Sequence, residues 1–85
     1  MGLHKRAPAD MILDIVALTE DRQTTHFETR EPITLYKGQV GTIVMVYDNN
    51  VFEVDFSDND GTTYAMETIS GDQLMVTLLI VEVFA

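Results

Sequence analysis

The cleanest alternation in the chain is VFEVDFS (51–57), where Phe52, Val54 and Phe56 point one way and Val51, Glu53 and Asp55 the other. Alternation with period 2 marks a strand with one buried face. QVGTIVMVY (39–47) and TTYAMETI (62–69) read as strands on either side of it, joined through DNN (48–50) and DNDG (58–61). Asn and Asp tolerate positive φ, and Asp60-Gly61 is a strong hairpin signal. The first strand lies in MILDIVALTED (11–21), centred on Ile15, Val16, Ala17 and Leu18 and ended by Glu20-Asp21. MVTLLIVEVFA (75–85) is a long apolar last strand, and the Ser70-x-x-Gln73 spacing before it predicts one turn of 3-10 or α helix. EDRQTTHFETREPITLYKG (20–38) sustains neither period. It reads as a long loop in which Thr25-x-x-Glu28 caps a single helical turn, Pro32 limits any continuation, and Ile33 and Leu35 pack inward.

Five short strands, a long first connection, tight hairpins and a helical turn before the last strand predict an all-β fold. The order resembles the SH3-like barrels, small and strongly bent, and 75 residues are few for a β-sandwich. The expectation is a five-stranded SH3-like barrel over residues 11–85, with a long first loop and a short 3-10 turn before the last strand. Residues 1–10, MGLHKRAPAD, read as a disordered leader ahead of Met11. Gly38, Gly41, Asp60 and Gly61 are the expected structural turns; the first two are placed where the chain turns or bulges into a curved strand.

Two resemblances extend this reading. LYKGQVGTIVMVYDNNVFEVDF (35–56) is similar to the KOW-type variant of the SH3-like barrel, with Gly38, Gly41, Ile43 and Val44 matching its glycine turn and Val/Ile strand. ILDIVALTED, KGQVGTIVMVYDNNVFEVDFSDNDGTTYA and DQL resemble a family of short uncharacterised bacterial proteins, a domain of unknown function, over roughly residues 12–74. That family implies a small barrel and no activity. The leader and the apolar tail depart from it.

The formal net charge of −9 repels phosphate at long range and favours basic partners. KOW modules that bind RNA supply Lys or Arg around the glycine turn, whereas Lys37 stands alone here and is followed by Asp48, Glu53 and Asp55. Nucleic-acid binding is therefore disfavoured. Cysteine is absent, which removes disulfides and thiolate zinc sites and fits a cytoplasmic protein. The leader has no apolar core of signal-peptide length, and LMVTLLIVEVFA (74–85) is too short to span a bilayer and carries Glu82. No membrane association is expected.

Chemistry is sparse. In FSDNDGTTYAME (56–67), Asp58, Asp60, Gly61 and Glu67 fall at four positions of a calcium-loop template, but Phe56 occupies its first ligand position and strands flank it. A hairpin with polar turn residues is the better reading. His4 and His26 are too few and too far apart for zinc. Neither Ser57 nor Ser70 sits in a nucleophile context that could use His26, and no phosphate-loop glycine pattern exists. No catalytic residue, metal ligand or cofactor site is expected, and the chain reads as a non-catalytic module.

Interaction surface is where the pattern is in excess. If Val44 and Val46 point inward, Met45 and Tyr47 point outward, with Val51 near Tyr47 across the hairpin; the opposite assignment buries Met45 and Tyr47. Either way this strand is apolar on both faces, and so is the tail, where Leu78 and Ile80 alternate with Leu79, Val81 and Val83. Met45, Tyr47, Val51, Leu78, Ile80, Val81, Val83 and Phe84 are the expected interface residues. The expected partners are a protein, basic in character, and a second copy of the chain, a homo-oligomer and most simply a dimer, through residues 75–84. An acidic antitoxin-like partner of a basic toxin and a KOW-like ribosome-associated domain are the alternatives.

Overall fold

Phe52, Val54 and Phe56 lie at the centre of the core in the computed structural model, which describes residues 11–76. The strands are β1 Ile15–Leu18, β2 Arg22–Thr25, β3 Pro32–Leu35, β4 Val40–Tyr47, β5 Val51–Ser57, β6 Thr63–Ser70 and β7 Leu74–Val76, with a 3-10 turn at Gly71–Gln73. Five of them form an antiparallel sheet in the order β6-β5-β4-β1-β7, and β2 and β3 form a separate hairpin. The fold is all-β, as expected. The predicted leader 1–10 and tail residues 77–85 lie outside the described residues.

The long loop expected over 20–38 is corrected: it contains the β2–β3 hairpin, in register from Arg22↔Leu35 to Thr25↔Pro32. Its faces do not read as apolar against polar because the β2 positions nearest the core edge carry Arg22 and Thr24, whose polar groups are matched by Glu67. Ile33 and Leu35 pack inward as expected. The cap at the hairpin tip is His26 instead of Thr25. His26 Nδ1 accepts the backbone N–H groups of Glu28 at 3.1 Å and Thr29 at 3.2 Å, while its carbonyl accepts Arg30 N. The expected cap before β7 does form, with Ser70 Oγ accepting Asp72 N at 3.3 Å.

Core side chains come from both sheets and from the turn before β1: Met11, Val16, Leu18, Leu35, Ile43, Phe52, Val54, Phe56, Ala65, Ile69 and Leu74. Two glycines serve this packing differently. Gly38 has φ +89, a left-handed conformation that glycine adopts without a Cβ penalty. Gly41 does not turn the chain: it is buried inside β4, where a Cβ would lie 2.7 Å from Val54 Cγ1 and 2.9 Å from the Phe56 ring. Its role is to let β5 side chains lie directly against the β4 backbone. Asp60 and Gly61 (φ +88) form the β5–β6 turn as expected.

The bend in β4 falls at Val44. The β4–β5 register passes from Ile43↔Val54 to Met45↔Glu53, leaving Val44 as an extra residue, a β-bulge. Neither strict alternation expected for this strand is therefore followed. Ile43 is buried, Val46 packs partly against the core, and Val44, Met45 and Tyr47 are all exposed. Tyr64 is a second extra residue, between Phe56↔Ala65 and Ser57↔Thr63. Its ring packs partly against the core and its Oη accepts Gln39 Nε2 at 2.5 Å.

Among the described residues no sheet closes through a continuous backbone ladder. The gap between β6 and the β2–β3 hairpin is bridged by one backbone bond, Phe27 N to Tyr64 O at 2.8 Å, and by side chains. Glu67 faces the core side of β6, between Ala65 and Ile69 and opposite Val54. Arg22 Nε donates to Glu67 Oε1 at 2.9 Å, Arg22 Nη2 donates to the Thr68 carbonyl at 2.9 Å, and the Thr24 hydroxyl donates to Glu67 Oε2. Gln73 extends the set, accepting from Arg22 and donating to Glu20 at 2.6 Å.

Candidate interaction surface

The outer face of the five-stranded sheet divides into an apolar and a polar half. The ladder puts Val40, Ala17 and Met75 in one row across β4, β1 and β7, and Thr42 beside Ile15 in the next. These are the outward positions, because Val16, Leu18, Gly41 and Leu74 between them face the core. Val40 is 49% exposed, Ile15 42% and Met75 58%. The bulge extends this apolar ground along β4 by turning Val44, Met45 and Tyr47 outward. Beside it, Leu13 donates its N–H to the Ile43 carbonyl at 2.6 Å and is 69% exposed with φ 74. A leucine in the left-handed region costs about 1–2 kcal/mol, and an exposed one recovers none of it by burial.

The polar half lies on β5 and β6. Glu53 stands opposite Met45, and Asp55 opposite Thr42. Each carboxylate is oriented by two hydroxyls acting on the same oxygen. Glu53 Oε1 accepts from Thr68 at 2.7 Å and Tyr47 at 3.1 Å; Asp55 Oδ1 accepts from Thr63 at 2.9 Å and Ser57 at 3.0 Å. The hydrogen bond to Glu53 holds the Tyr47 phenol above its ordinary pKa, with desolvation and the carboxylate charge acting in the same direction. No basic residue lies on this outer face: among the described residues the bases are Arg22, Arg30 and Lys37, all on the β2–β3 hairpin or the turn before β4.

Of the interface residues read from sequence, the structure brings Met45, Tyr47 and Val51 together at one end of this face, with Tyr47 and Val51 a direct cross-strand pair. Leu78, Ile80, Val81, Val83 and Phe84 lie outside the described residues. The outward Ile15, Ala17 and Val40 were not expected at an interface, and Met75 was expected there only as part of the pairing segment 75–84. The signal for them was present in β1, whose IVAL run offers no polar residue to either face.

Of the residues weighed for metal and catalytic roles, Asp60, Glu67, Ser57, Ser70 and His26 have other partners, and His4 lies outside the described residues. Asp60 Oδ1 accepts Thr62 N at 2.9 Å, and this backbone bond, helped by the Thr62 hydroxyl, holds its carboxyl below the ordinary value. Glu67 is taken up by Arg22 and Thr24. Ser57 donates to Asp55, Ser70 caps the 3-10 turn, and His26 caps the hairpin tip. Among the described residues no three His, Asp or Glu side chains are grouped to hold a metal ion, and no helix is long and apolar enough to cross a membrane.

A family model described as a domain of unknown function, DUF4926, matches residues 12–76 of the 85. The chain belongs to this family. Its match runs from the residue after the buried Met11 to the last described residue of β7, and so spans the sheet, the hairpin and the outer face. No curated protein and no solved structure matches the chain.

Proposed function

We propose that this chain is a small, acidic, non-catalytic interaction module of the SH3-like barrel kind, acting in the bacterial cytoplasm and docking a protein partner on the outer face of β7, β1 and β4. The observation that carries the reading is the exposed row Val40–Ala17–Met75 with Ile15 beside it. Contiguous apolar ground on a sheet face is the usual mark of a surface that another polypeptide covers. Leu13, exposed in a costly backbone conformation at the end of the same ground, also fits a surface kept for binding. The barrel assignment is supported by the strand order β6-β5-β4-β1-β7, by the hairpin inserted between β1 and β4, and by the 3-10 turn before β7.

Self-association is a second reading, favoured by Met75, which belongs both to this face and to the segment 75–84 expected to pair copies. Nucleic acid is disfavoured by the face itself, which carries Glu53 and Asp55 and, among the described residues, no base.

Affinity capture from the source cells with wild-type chain and with Val40→Glu/Met75→Glu tests the reading, alongside light scattering of both. A discrete partner or second copy held by the wild type and lost from the folded variant is the expected result. Identical captured proteins and identical mass for both chains would refute it.

A further inference from the structure

The two halves of the outer face together specify what fits it. We propose that the partner is an amphipathic polypeptide segment with a cationic flank, lying along β1 and β4 with its apolar side on Val40, Ala17, Ile15 and Met75 and its Lys or Arg side chains over Glu53 and Asp55. The proposal rests on the docking reading above and adds the chemistry of the occupant.

The dimensions agree with a helix. Neighbouring strands are about 4.8 Å apart, so β7 to β4 spans about 10 Å, and a helix with its side chains is about 10–12 Å across. A helix centred over β1 and β4 therefore covers the apolar half and brings one flank above β5. Asp55 is there, opposite Thr42, which in turn is opposite Ile15; Glu53 is there, opposite Met45.

The charge argument depends on position, not on acidity in general. Glu53 and Asp55 lie two residues apart on one strand face, each with both hydroxyl donors on a single oxygen. Among the described residues nothing donates to Glu53 Oε2 or Asp55 Oδ2. All these donors are neutral, and among the described residues no cation lies beside the two negative charges. A second copy presenting this same face brings Glu53 and Asp55 again and, among the described residues, supplies no cation. The exposed bases Arg30 and Lys37 lie on a different part of the molecule, at the hairpin tip and the β3–β4 turn.

Fluorescence anisotropy with labelled peptides tests the proposal on the full chain. The probe is an amphipathic Leu/Lys helix of about 14 residues, roughly four turns. Its controls are the Leu/Glu counterpart and a scrambled Leu/Lys peptide without an apolar side. The chain variants are Val40→Glu/Met75→Glu, Glu53→Gln/Asp55→Asn, and Glu28→Gln/Glu31→Gln on the hairpin as a charge-matched control, each checked by circular dichroism for the wild-type fold. The expected result is that the Leu/Lys helix binds and neither control peptide does. The first variant then abolishes binding, the second weakens it about fivefold with a reduced salt dependence, and the third leaves it unchanged. Equal binding of the scrambled peptide, an equal loss in the hairpin variant, or no binding of the Leu/Lys helix would overturn the proposal. Leu/Glu binding as tight as Leu/Lys binding, abolished by Val40→Glu/Met75→Glu, would overturn the cationic flank while leaving the docking face standing.

Discussion

Arg22 Nε lies 2.9 Å from Glu67 Oε1, and this contact joins the β2–β3 hairpin to the core side of the five-stranded sheet. Glu67 sits in a row of buried apolar positions with its side chain only 16% exposed, so the hairpin supplies the cation and the Thr24 hydroxyl that its position requires. Removing one partner leaves the other half-buried without its counter-charge. Glu67→Ala is expected to lower stability by about 1–3 kcal/mol in urea unfolding. Replacing both members with Leu removes both charges at once, leaving only neutral groups such as the Thr24 hydroxyl to find new partners, and should cost less than Glu67→Ala alone. A single Glu67→Ala no costlier than Glu28→Ala would show that the pair does not hold the hairpin.

Gly38 and Gly41 stand three positions apart in the chain and fail for different reasons when changed. Gly38→Ala meets open space and pays only for its left-handed backbone, about 1 kcal/mol. Gly41→Ala drives a methyl group to within 2.7 Å of Val54 and 2.9 Å of Phe56 and should cost about 1–3 kcal/mol, with shifted Phe56 ring resonances. Unchanged Phe56 resonances in Gly41→Ala would contradict the packing role.

Deleting Val44 tests the bulge. Without the extra residue Met45 follows Ile43 directly and keeps its place opposite Glu53, so the later side chains keep their sides while the local bend and the outward Val44 are lost. The expected result is a loss of about 2 kcal/mol or more, whereas Val44→Thr, which keeps the bulge, should cost under about 0.5 kcal/mol. Equal effects of the two changes would mean that the bend at the bulge contributes nothing to the stability of the fold.

Two groups give opposite pH dependence. Tyr47 has a raised folded pKa, so its contribution is complete below the unfolded value of 10.0 and is lost as pH rises through the folded pKa. Asp60 has a lowered folded pKa, so its contribution is present above the unfolded value of 3.8 and is lost as pH falls through the folded pKa. Both groups are exposed, and both effects are small. NMR titration should place the Tyr47 phenol above 10.0 and the Asp60 carboxyl below 3.8, and Glu53→Gln should bring Tyr47 back down. A Tyr47 titration unmoved by Glu53→Gln would contradict the hydrogen bond as its main cause.

Strands with one apolar face were legible from their spacing: the inward set Phe52, Val54 and Phe56 of β5 is buried as its alternation requires. Turn chemistry located Gly38, Asp60-Gly61 and the Ser70 cap for the same local reason. The β2–β3 hairpin was not legible, because Arg22 and Thr24 look like loop residues until Glu67, more than forty positions away in sequence, is known to face them. Nor was the bulge at Val44, since every residue from Ile43 to Val46 is apolar and alternation carries no information there. The interaction surface was half legible. The sequence showed an excess of apolar residues in β4 and the tail, but Ile15, Val40 and Met75 become neighbours only through the β4-β1-β7 ladder.

Photo-crosslinking inside the source cells tests the docking face most directly. With a photoreactive amino acid at position 40, in the centre of the apolar half, the account predicts one discrete crosslinked product. The same probe at position 28, exposed on the hairpin, should give none. No product at position 40, or the same product from both positions, would contradict it.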